Sequence, residues 1–375
     1  MKTKFSLKEQ LFNQQKVEKI ATEIREAYPS FNKKDFTKEV LEKFPSLELK
    51  ERINHIRDML HRYLPLDYEE AIEIILKALP PELDPTKSDD DFGDFIYAPY
   101  GEYVATYGCN KEHLELSFLV LRELTKRFSM EYAIRDFINS FPSESLAMLY
   151  RLSSSQNYHQ RRLVSEGLRY KLPWAKKLNI DYHEPLKHLN NLFYDSTRYV
   201  TRSVANHLND IAKVDAPLVI KILKEWKSSS YQNPKEMEFI LKHSLRTLVK
   251  EGNLEALALL GYAINPNIAV SSLTIADQEV KIGEALEFEV MVEAKEDVSL
   301  MVDYLLYFRN KKGQFNLKVH KLKKLKMRKG ESVTLKKRHP FRANMTTRKL
   351  YVGEHKVALQ INGSGYDEVG FSLTQ

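Results

Sequence analysis

The first 265 residues carry apolar side chains at steps of three and four, which is the period of amphipathic helices. The four clearest segments are LFNQQKVEKIATEIREAY, KDFTKEVLEKF, KERINHIRDMLHRYL and YEEAIEIILKAL, and prolines at positions 29, 45, 65 and 80 follow them. Because proline cannot continue a helix, each proline marks a helix end. Asp35, Ser46 and Asp67 stand where helix N-caps are expected. The pattern predicts an all-α region.

Arginines recur along this region at a nearly constant spacing. Arg122, Arg162 and Arg202 lie forty residues apart, and Arg246 follows forty-four residues later. A period of about 40 to 47 residues is typical of HEAT and armadillo repeats, whose stacked helix pairs build a curved solenoid. We therefore predict an all-α HEAT-like helical-repeat solenoid over residues 1–268.

Beyond residue 265 the apolar period shortens towards two, which is typical of β-strands. The strand-like runs are LEFEVMVEA, VSLMVDYLLYFRN, QFNLKVHKLKKLKM, SVTLKKRHPF, HKVALQING and VGFSLT. Six or seven short strands in about 100 residues are typical of an immunoglobulin-like sandwich. We predict an all-β immunoglobulin-like domain over residues 269–375, with Leu317, Val319, Val333 and Leu335 facing its core.

The composition fits two folded domains. The chain has 375 residues, of which 43% are hydrophobic and 29% charged, so each predicted domain can bury a core. No apolar run reaches the roughly 20 residues of a membrane span, and the N-terminus lacks the apolar core of a signal peptide. Cys109 is the only cysteine, which excludes an internal disulfide and favours a reducing compartment. We expect a cytoplasmic protein.

The formal net charge of +7 is concentrated in the predicted β-domain. Residues 271–375 hold 19 Lys+Arg and 13 Asp+Glu, whereas the first 270 residues hold 39 and 38. Within residues 309–349, 16 basic side chains accompany one acid, Glu331. Lysines that protect an edge strand from aggregation are the plain interpretation, but fewer would suffice. The block therefore favours contact with a polyanion, with nucleic acid ahead of an anionic membrane.

Familiar enzyme motifs are absent from the sequence. It has no Walker phosphate-binding loop, no dinucleotide-binding glycine motif and no HExxH zinc motif. One cysteine and 11 scattered histidines form no recognisable metal-ligand constellation, so we expect neither a metal nor a cofactor. Catalysis would then depend on carboxylates and aromatic rings acting on a bound polyanion.

Four residues are candidates for such chemistry: Glu131, Glu166, Trp174 and Asp210. The acids occur among arginines in three successive repeats, and equivalent positions of stacked repeats lie side by side. Each residue also has a plain structural interpretation. The acids would pair with Arg135 or Arg162 one helical turn away, and the tryptophan would be a buried packing residue.

Four blocks of sequence resemble the AlkC family of bacterial DNA alkylation-repair glycosylases, and the resemblance covers essentially the whole chain. The blocks are FNQQKVEKIATEI, TKRFSMEYAIR, RRLVSEGLRYKLPWA and RSVANHLNDIAK, in the family's order and spacing. The strand-rich end resembles the immunoglobulin-like domain of longer family members. The sequence departs from the family at Tyr170, Lys171 and Thr201, where members usually have proline, arginine and arginine.

The resemblance implies a DNA glycosylase that hydrolyses the N-glycosidic bond of 3-methylcytosine and 3-methyladenine in duplex DNA, initiating base excision repair without full base flipping. Asp210 is expected to position or deprotonate water, and Glu131 to stabilise the sugar cation. Glu166 would support them, and Trp174 would pack on the lesion nucleotide. The expected DNA-binding residues are Arg135, Arg161, Arg162, Arg169, Lys171, Arg198, Arg202, Lys323, Lys324, Lys326 and Lys329.

Two other classes of function fit parts of the sequence. A non-catalytic helical-repeat scaffold that binds DNA or protein would use the acids as salt-bridge partners. A membrane-surface adaptor would use the basic β-domain but would leave the arginines of the helical region without a role. We rank both behind a glycosylase that acts as a monomer on duplex DNA, has no membrane partner, and is associated with the nucleoid when bound.

Overall fold

Residues 6–89, 92–343, 345 and 348–375 are described in the computed structural model of the protein. Contacts divide the chain into two units. The first holds the described residues up to Ile211 together with Ser229–Ile240, and the second holds Ala212–Ser228 and Leu241–Gln375. The second unit therefore includes helical segments as well as strands. The predicted domain boundary at residues 268 and 269 stays a prediction.

The region before residue 260 is helical, as its apolar period predicts. The α-helices are α1 (Leu7–Leu11), α2 (Gln14–Ala27), α3 (Lys33–Lys43), α4 (Leu49–Tyr63), α5 (Tyr68–Lys77), α6 (Ala98–Tyr107), α7 (Leu114–Thr125), α8 (Ile134–Ser140), α9 (Pro142–Leu152), α10 (Tyr158–Gly167), α11 (Leu186–Leu192), α12 (Arg198–Ile211), α13 (Ala216–Ser229), α14 (Pro234–Ser244), α15 (Arg246–Lys250) and α16 (Leu254–Leu259). Short 3-10 helices cover Phe44–Ser46 and Phe95–Tyr97.

The helix N-caps agree with the sequence at one predicted position and differ at two. The Asp67 side chain accepts a hydrogen bond from the backbone N–H of Glu70 and caps α5, as predicted. α3 is capped three residues before Asp35, by Asn32. α4 begins after Glu48, which forms a reciprocal capping box with Glu51, and Ser46 ends the preceding 3-10 helix instead. Both segments offer several polar residues near the helix start, so the sequence alone did not select the right one.

The helices that carry three of the spaced arginines are neighbours in space. Arg122 lies in α7, Arg162 in α10 and Arg202 in α12, and α10 contacts both of the other helices. Helices one repeat apart in sequence therefore pack against each other, as a stacked helical repeat requires. The assignment of this repeat to the HEAT type stays a prediction.

The C-terminal strands form two sheets. The strands are β1 (Ile268–Val270), β2 (Thr274–Ile275), β3 (Glu279–Lys281), β4 (Ala285–Ala294), β5 (Val298–Arg309), β6 (Phe315–Met327), β7 (Ser332–Pro340), β8 (Gly353–Ile361) and β9 (Ser364–Thr374). In one sheet β4 pairs with β1, β2 and β7, and the other sheet has the order β3-β9-β8-β5-β6. Apolar residues of both sheets share one buried core. This is the arrangement of an immunoglobulin-like sandwich.

Two of the four predicted core residues of the basic strands lie on the other face of their sheet. Leu335 is buried in the core, but Leu317 is 48% exposed. Leu317 pairs with Tyr307 and Val319 pairs with Leu305, and these β5 residues alternate with those that enter the core. The placement of Leu317 and Val319 was therefore wrong. A register bulge between β5 and β6 obscures the alternation on which the prediction relied.

Candidate active site

The neighbouring helices α10 and α12 carry six of the ten polar candidates of the helical region. α10 begins after Asn157, whose side-chain oxygen accepts hydrogen bonds from the backbone N–H groups of His159 and Gln160. Glu166 near the end of α10 and Asp210 near the end of α12 are only 5% and 2% exposed. Carboxylates at such depth need cationic or hydrogen-bonding partners.

Three acids and two arginines alternate along one continuous line of contacts, and we call this set the charge ladder: Glu131, Arg162, Glu166, Arg169 and Asp210. Arg162 Nη1 donates to Glu131 Oε2 at 2.8 Å, and Arg162 Nη2 lies 3.7 Å from Glu166 Oε2. Arg169 Nη1 donates to Glu166 Oε1 at 2.6 Å. Its Nε and Nη2 atoms donate to Asp210 Oδ2 at 3.0 and 2.8 Å. The ladder thus connects all three candidate acids.

Burial and charge act in opposite directions on the central groups of the ladder. Burial by itself raises the pKa of Glu166, but Arg162 and Arg169 outweigh it and hold this pKa below its ordinary value. Burial likewise opposes the charge on both arginines, and the neighbouring acids overcome it and raise both pKa values. The three central groups of the ladder are therefore ionised at neutral pH.

Two serines that were not candidates from the sequence also belong to the site. Ser203 Oγ donates to Glu166 Oε2 at 2.5 Å. Ser129 Oγ donates to Glu131 and accepts from Arg162 Nη1 at 2.7 Å. Ser203 lies two helical turns before Asp210 on α12, and this spacing was an available signal. Ser129 precedes α8 in an irregular segment, where no periodicity could indicate it.

A buried histidine lies on the same helix as Asp210. His207 is fully buried one turn before Asp210. Burial lowers its pKa to about 3, and the nearby positive charge of Arg169 acts in the same direction. The imidazole is therefore neutral at physiological pH and adds no charge to the site.

Trp174 lies at the surface and is not a buried packing residue. Its side chain is 71% exposed, and its backbone adopts a positive φ of 62°, which is uncommon outside glycine. The Lys50 side chain donates to the Trp174 carbonyl, and the Tyr132 hydroxyl donates to the Pro173 carbonyl at 3.3 Å. No direct contact joins the indole to the ladder among the described contacts. Trp174 instead borders a cavity whose wall also includes Ser129, a ladder partner.

Replacing Trp174 by alanine tests whether the exposed ring is needed for function. We expect the free energy of unfolding to change by no more than about 0.5 kcal/mol, since little surface is buried. Base release from methylated duplex DNA should fall about tenfold. Trp226, the other tryptophan, is 5% exposed, and Trp226→Ala should cost about 3–5 kcal/mol of stability. Chemical denaturation and a base-release assay measure both effects, and unchanged release by Trp174→Ala contradicts a functional role.

Arg135 is an internal organising residue in this structure. It is 1% exposed, and its guanidinium donates to the carbonyls of Lys176, Gly167 and Arg169 at 2.6, 2.9 and 3.0 Å. Burial lowers its pKa to about 10, with Arg169 acting in the same direction. A phosphate cannot reach a side chain buried in this way, so the expected direct DNA contact by Arg135 conflicts with its placement. Helical spacing indicates a face of the helix but not whether a neighbouring loop covers it.

The arginines at the start of α10 and α12 are held in ion pairs. Arg161 donates to both carboxylate oxygens of Asp195, at 2.5 and 3.1 Å, and to two backbone carbonyls. Arg198 forms a two-pronged pair with Glu236 at 2.7 and 2.5 Å, and Arg202 pairs with Asp89. Arg198 and Arg202 keep about a third of their side chains exposed, at 35% and 31%. They remain accessible for contact with a phosphate.

The three departures from the family pattern lie in different environments. Lys171 is exposed, with its ammonium 5.7 Å from the centre of the Tyr170 ring. Tyr170 packs edge-on against Tyr182 at 5.8 Å between ring centres. Thr201 is fully buried and donates to Glu236 at 2.5 Å, so it completes the Arg198 ion pair. Of the three, Lys171 is placed to contact a ligand.

The basic strands of the β-domain differ in how their charges are balanced. On β7, Lys336 and Arg338 pair with Glu289 and Glu287 of β4, at 2.9 and 3.1 Å. The four lysines of this domain that are predicted to bind DNA are exposed and form no ion pair with the described residues: Lys323, Lys324, Lys326 and Lys329. β6 is also an edge strand. Uncompensated positive charge is therefore concentrated along β6 and the turn that follows it.

In the described ranges, no helix combines the length and hydropathy needed to cross a membrane. No group of three or more His, Cys, Asp and Glu side chains is arranged to hold a metal ion within those same ranges.

The helical region and the immunoglobulin-like sandwich together match the architecture of a DNA glycosylase of known structure. The chain superposes with a TM-score of 0.86 on the Pseudomonas fluorescens alkylpurine DNA glycosylase AlkC, solved bound to DNA containing an abasic site analog. The two sequences are 30% identical, and the match covers 99% of this chain and 100% of the other.

Sequence comparison agrees with the structural match. The chain is 33% identical to the protein YhaZ of Bacillus subtilis, over 97% of this chain and 98% of YhaZ. Residues 269–375 match the family model described as the C-terminal Ig-like domain of YhaZ. The chain belongs to the AlkC family, and the resemblance predicted from the sequence blocks is confirmed.

Proposed function

We propose that the protein is a DNA glycosylase of alkylation repair, and that it releases 3-methylcytosine and 3-methyladenine from duplex DNA. The charge ladder is the observation that carries this proposal. It brings together three carboxylates, the type of group that stabilises an oxocarbenium-like sugar and activates water when a glycosidic bond is hydrolysed. Its arginines keep the central carboxylate charged despite burial. The family membership adds support, because the relative AlkC is an alkylpurine DNA glycosylase.

The proposed chemistry exploits the positive charge of an N3-alkylated base. The bond between sugar C1′ and the base nitrogen breaks, and its electron pair neutralises the leaving base. The sugar then resembles an oxocarbenium ion, which nearby carboxylates stabilise. Water adds its oxygen to C1′ and loses a proton. These steps need no metal and no cofactor.

Each acid of the ladder has a proposed role. Asp210 positions the water and accepts its proton, and Arg169 orients the carboxylate by directing two hydrogen bonds to Oδ2. Glu131 stabilises the sugar cation; its side chain is 15% exposed, more than those of the other two acids. Glu166 is a positioning residue, because it holds both ladder arginines and accepts from Ser203. Trp174 packs on the lesion nucleotide.

The DNA contacts divide into two groups. Among the predicted DNA-binding residues of the helical region, Arg198, Arg202 and Lys171 are accessible and are proposed to bind phosphate. Arg162 and Arg169 act inside the site, where their charges keep the Glu166 carboxylate ionised. Arg135 and Arg161 are proposed to hold the site's backbone. Binding as a monomer, without full extrusion of the lesion, belongs to the same proposal.

A base-release assay on methylated duplex DNA tests the proposal. We expect release of 3-methyladenine and 3-methylcytosine, and none of normal bases from the same duplex. A scaffold protein would bind DNA and release no base. A membrane-surface adaptor would prefer anionic liposomes to duplex DNA. Either result would remove the glycosylase proposal.

Reversing the β6-side lysines tests whether the β-domain grips DNA. Replacing Lys323, Lys324, Lys326 and Lys329 by glutamate should weaken DNA binding and flatten its dependence on salt, by about 0.9 in the logarithmic slope for each lost phosphate contact. A variant with arginine at all four positions keeps the charge and should keep the slope. Fluorescence anisotropy over a salt series measures both. Equal slopes for the glutamate and arginine variants would leave edge protection as the role of these lysines.

A further inference from the structure

A cavity of about 230 Å³ lies next to the charge ladder in the helical unit. Ser129, whose hydroxyl donates to Glu131, forms part of its wall. Four aromatic residues also line it: Phe95, Phe128, Tyr132 and Trp174. The volume is below the roughly 300–1,000 Å³ of pockets for drug-sized ligands, and far above the roughly 30 Å³ that one water occupies. It suits a single planar ring system stacked against aromatic side chains.

One carboxylate in the cavity wall feels the charges of Lys176 and Asp136 but is held by neither. Glu102 is half-buried, and among the described residues it has no hydrogen-bond or ion-pair partner. The other charged groups of the wall are occupied: Lys176 pairs with Asp136 at 2.6 Å, and Lys50 donates to the Trp174 carbonyl. Burial raises the pKa of Glu102, and this penalty is relieved when a ligand donates a hydrogen bond.

We propose that this cavity binds the free nucleobase after it has been cleaved from the sugar, and that Glu102 selects bases with an exocyclic amino group. This inference rests on the proposed glycosylase function. The aromatic walls stack a planar heterocycle. The Glu102 carboxylate accepts from an amino N–H, as acidic side chains do when they bind the cytosine amino group. 3-Methyladenine and 3-methylcytosine both carry such a group, whereas a keto base presents an oxygen that repels the carboxylate.

The cavity adjoins residues that are proposed to take part in the reaction. Trp174, which is proposed to pack on the lesion nucleotide, borders the cavity, and Ser129 joins its wall to Glu131. A base released beside Glu131 therefore has an aromatic site within reach. Holding the base there removes it from the sugar cation and limits recombination of the two.

The cavity can be partly filled by substitutions that leave the charge ladder unchanged. Ala98 begins α6, and Ile53 lies on α4; both are partly exposed and line the cavity. Ala98→Leu and Ile53→Phe each reduce the volume from a different helix. If one variant fails to fold, the other still tests the site. Glu102→Gln keeps the shape but replaces an acceptor by an amide that can also donate.

The experiment measures binding of free bases by tryptophan fluorescence. In a Trp226→Phe background, Trp174 is the only tryptophan and reports on the cavity. We expect a saturable change with 3-methyladenine, and binding about tenfold weaker for 3-methylhypoxanthine, which has a keto group in place of the amino group. Ala98→Leu and Ile53→Phe should weaken 3-methyladenine binding at least about tenfold. Glu102→Gln should bring the two bases within about threefold of each other.

The outcomes separate this inference from the proposed function. No saturable change with 3-methyladenine, or equal binding by the filled variants and the parent, overturns the cavity proposal even when methylated DNA is cleaved. Binding of 3-methyladenine together with no release from methylated DNA overturns the glycosylase proposal instead. An unchanged amino-to-keto preference in Glu102→Gln removes Glu102 as the selecting residue. Ala98→Leu should still release base from DNA, because it leaves all five ladder residues in place.

Discussion

Asp210→Asn should lower the release of 3-methyladenine from duplex DNA at least about 100-fold while leaving DNA affinity within about threefold of the unmodified protein. The amide can still accept from Arg169, so the ladder geometry is retained. It cannot take a proton from water. Single-turnover base release measures the chemical step, and anisotropy with an uncleavable duplex measures binding.

The chain offers a matched control for this substitution. Asp195 is also an aspartate paired with one arginine; its side chain is 5% exposed and accepts a 2.5 Å hydrogen bond from Arg161. Asp195→Asn makes the same chemical change outside the ladder and should leave base release nearly intact. Equal loss in both variants would mean that the effect at Asp210 is structural. Full activity of Asp210→Asn would remove Asp210 from the mechanism.

Arg169→Leu should destabilise the folded protein by about 3–5 kcal/mol at pH 7, because it leaves two buried carboxylates without their shared cation. These are Glu166 and Asp210. Arg198→Leu is the comparison, since its partner Glu236 is more exposed at 18%, and its cost should be about 1 kcal/mol. Urea denaturation measures both. Equal costs would show that burial does not set the strength of the ladder.

The pH dependence of this loss has a definite sign. In the unmodified protein the pKa of Glu166 is below its ordinary value, so its contribution to stability is present above that value and is lost as pH falls through the folded-state pKa. Without Arg169, burial is opposed mainly by Arg162, and the pKa of Glu166 rises. The variant then loses stability as pH rises. The difference between the two proteins should therefore widen from pH 4 to pH 7, and a constant difference would exclude this origin.

Local pattern predicted much of the architecture. Apolar steps of three and four predicted the helices. The forty-residue spacing of the arginines predicted stacked repeats, and α10 does contact both α7 and α12. The same spacing placed Glu166 and Asp210 in helices that pack side by side. Sequence blocks that resemble the AlkC family gave the relationship that full-length comparison then confirmed. These features depend on periods and motifs, which can be read directly from the sequence.

The contacts of individual arginines could not be predicted from the same patterns. Helical spacing assigns a side chain to one face of its helix. The residues that this side chain contacts, however, come from distant parts of the chain. Arg135 meets three carbonyls more than thirty residues away, and Arg202 meets Asp89 across more than a hundred residues. The exposure of Trp174 could not be predicted either, because this residue lies in an irregular segment and has a positive φ. Tertiary contacts of this kind have no local signature.

The charge ladder has unequal numbers of acids and bases. Three carboxylates alternate with two guanidinium groups, so the formal sum over these five residues is one negative charge. The nearby Arg135 guanidinium acts on Glu166 and Arg169 but is not part of this line. Under the proposed function, a neutral undamaged base would gain little from the carboxylates at the two ends of the ladder, whereas a cationic N3-alkylated base or an oxocarbenium-like sugar would complete the alternation. Discrimination between lesion and normal DNA would then be electrostatic, with no need for a pocket shaped around the added methyl group.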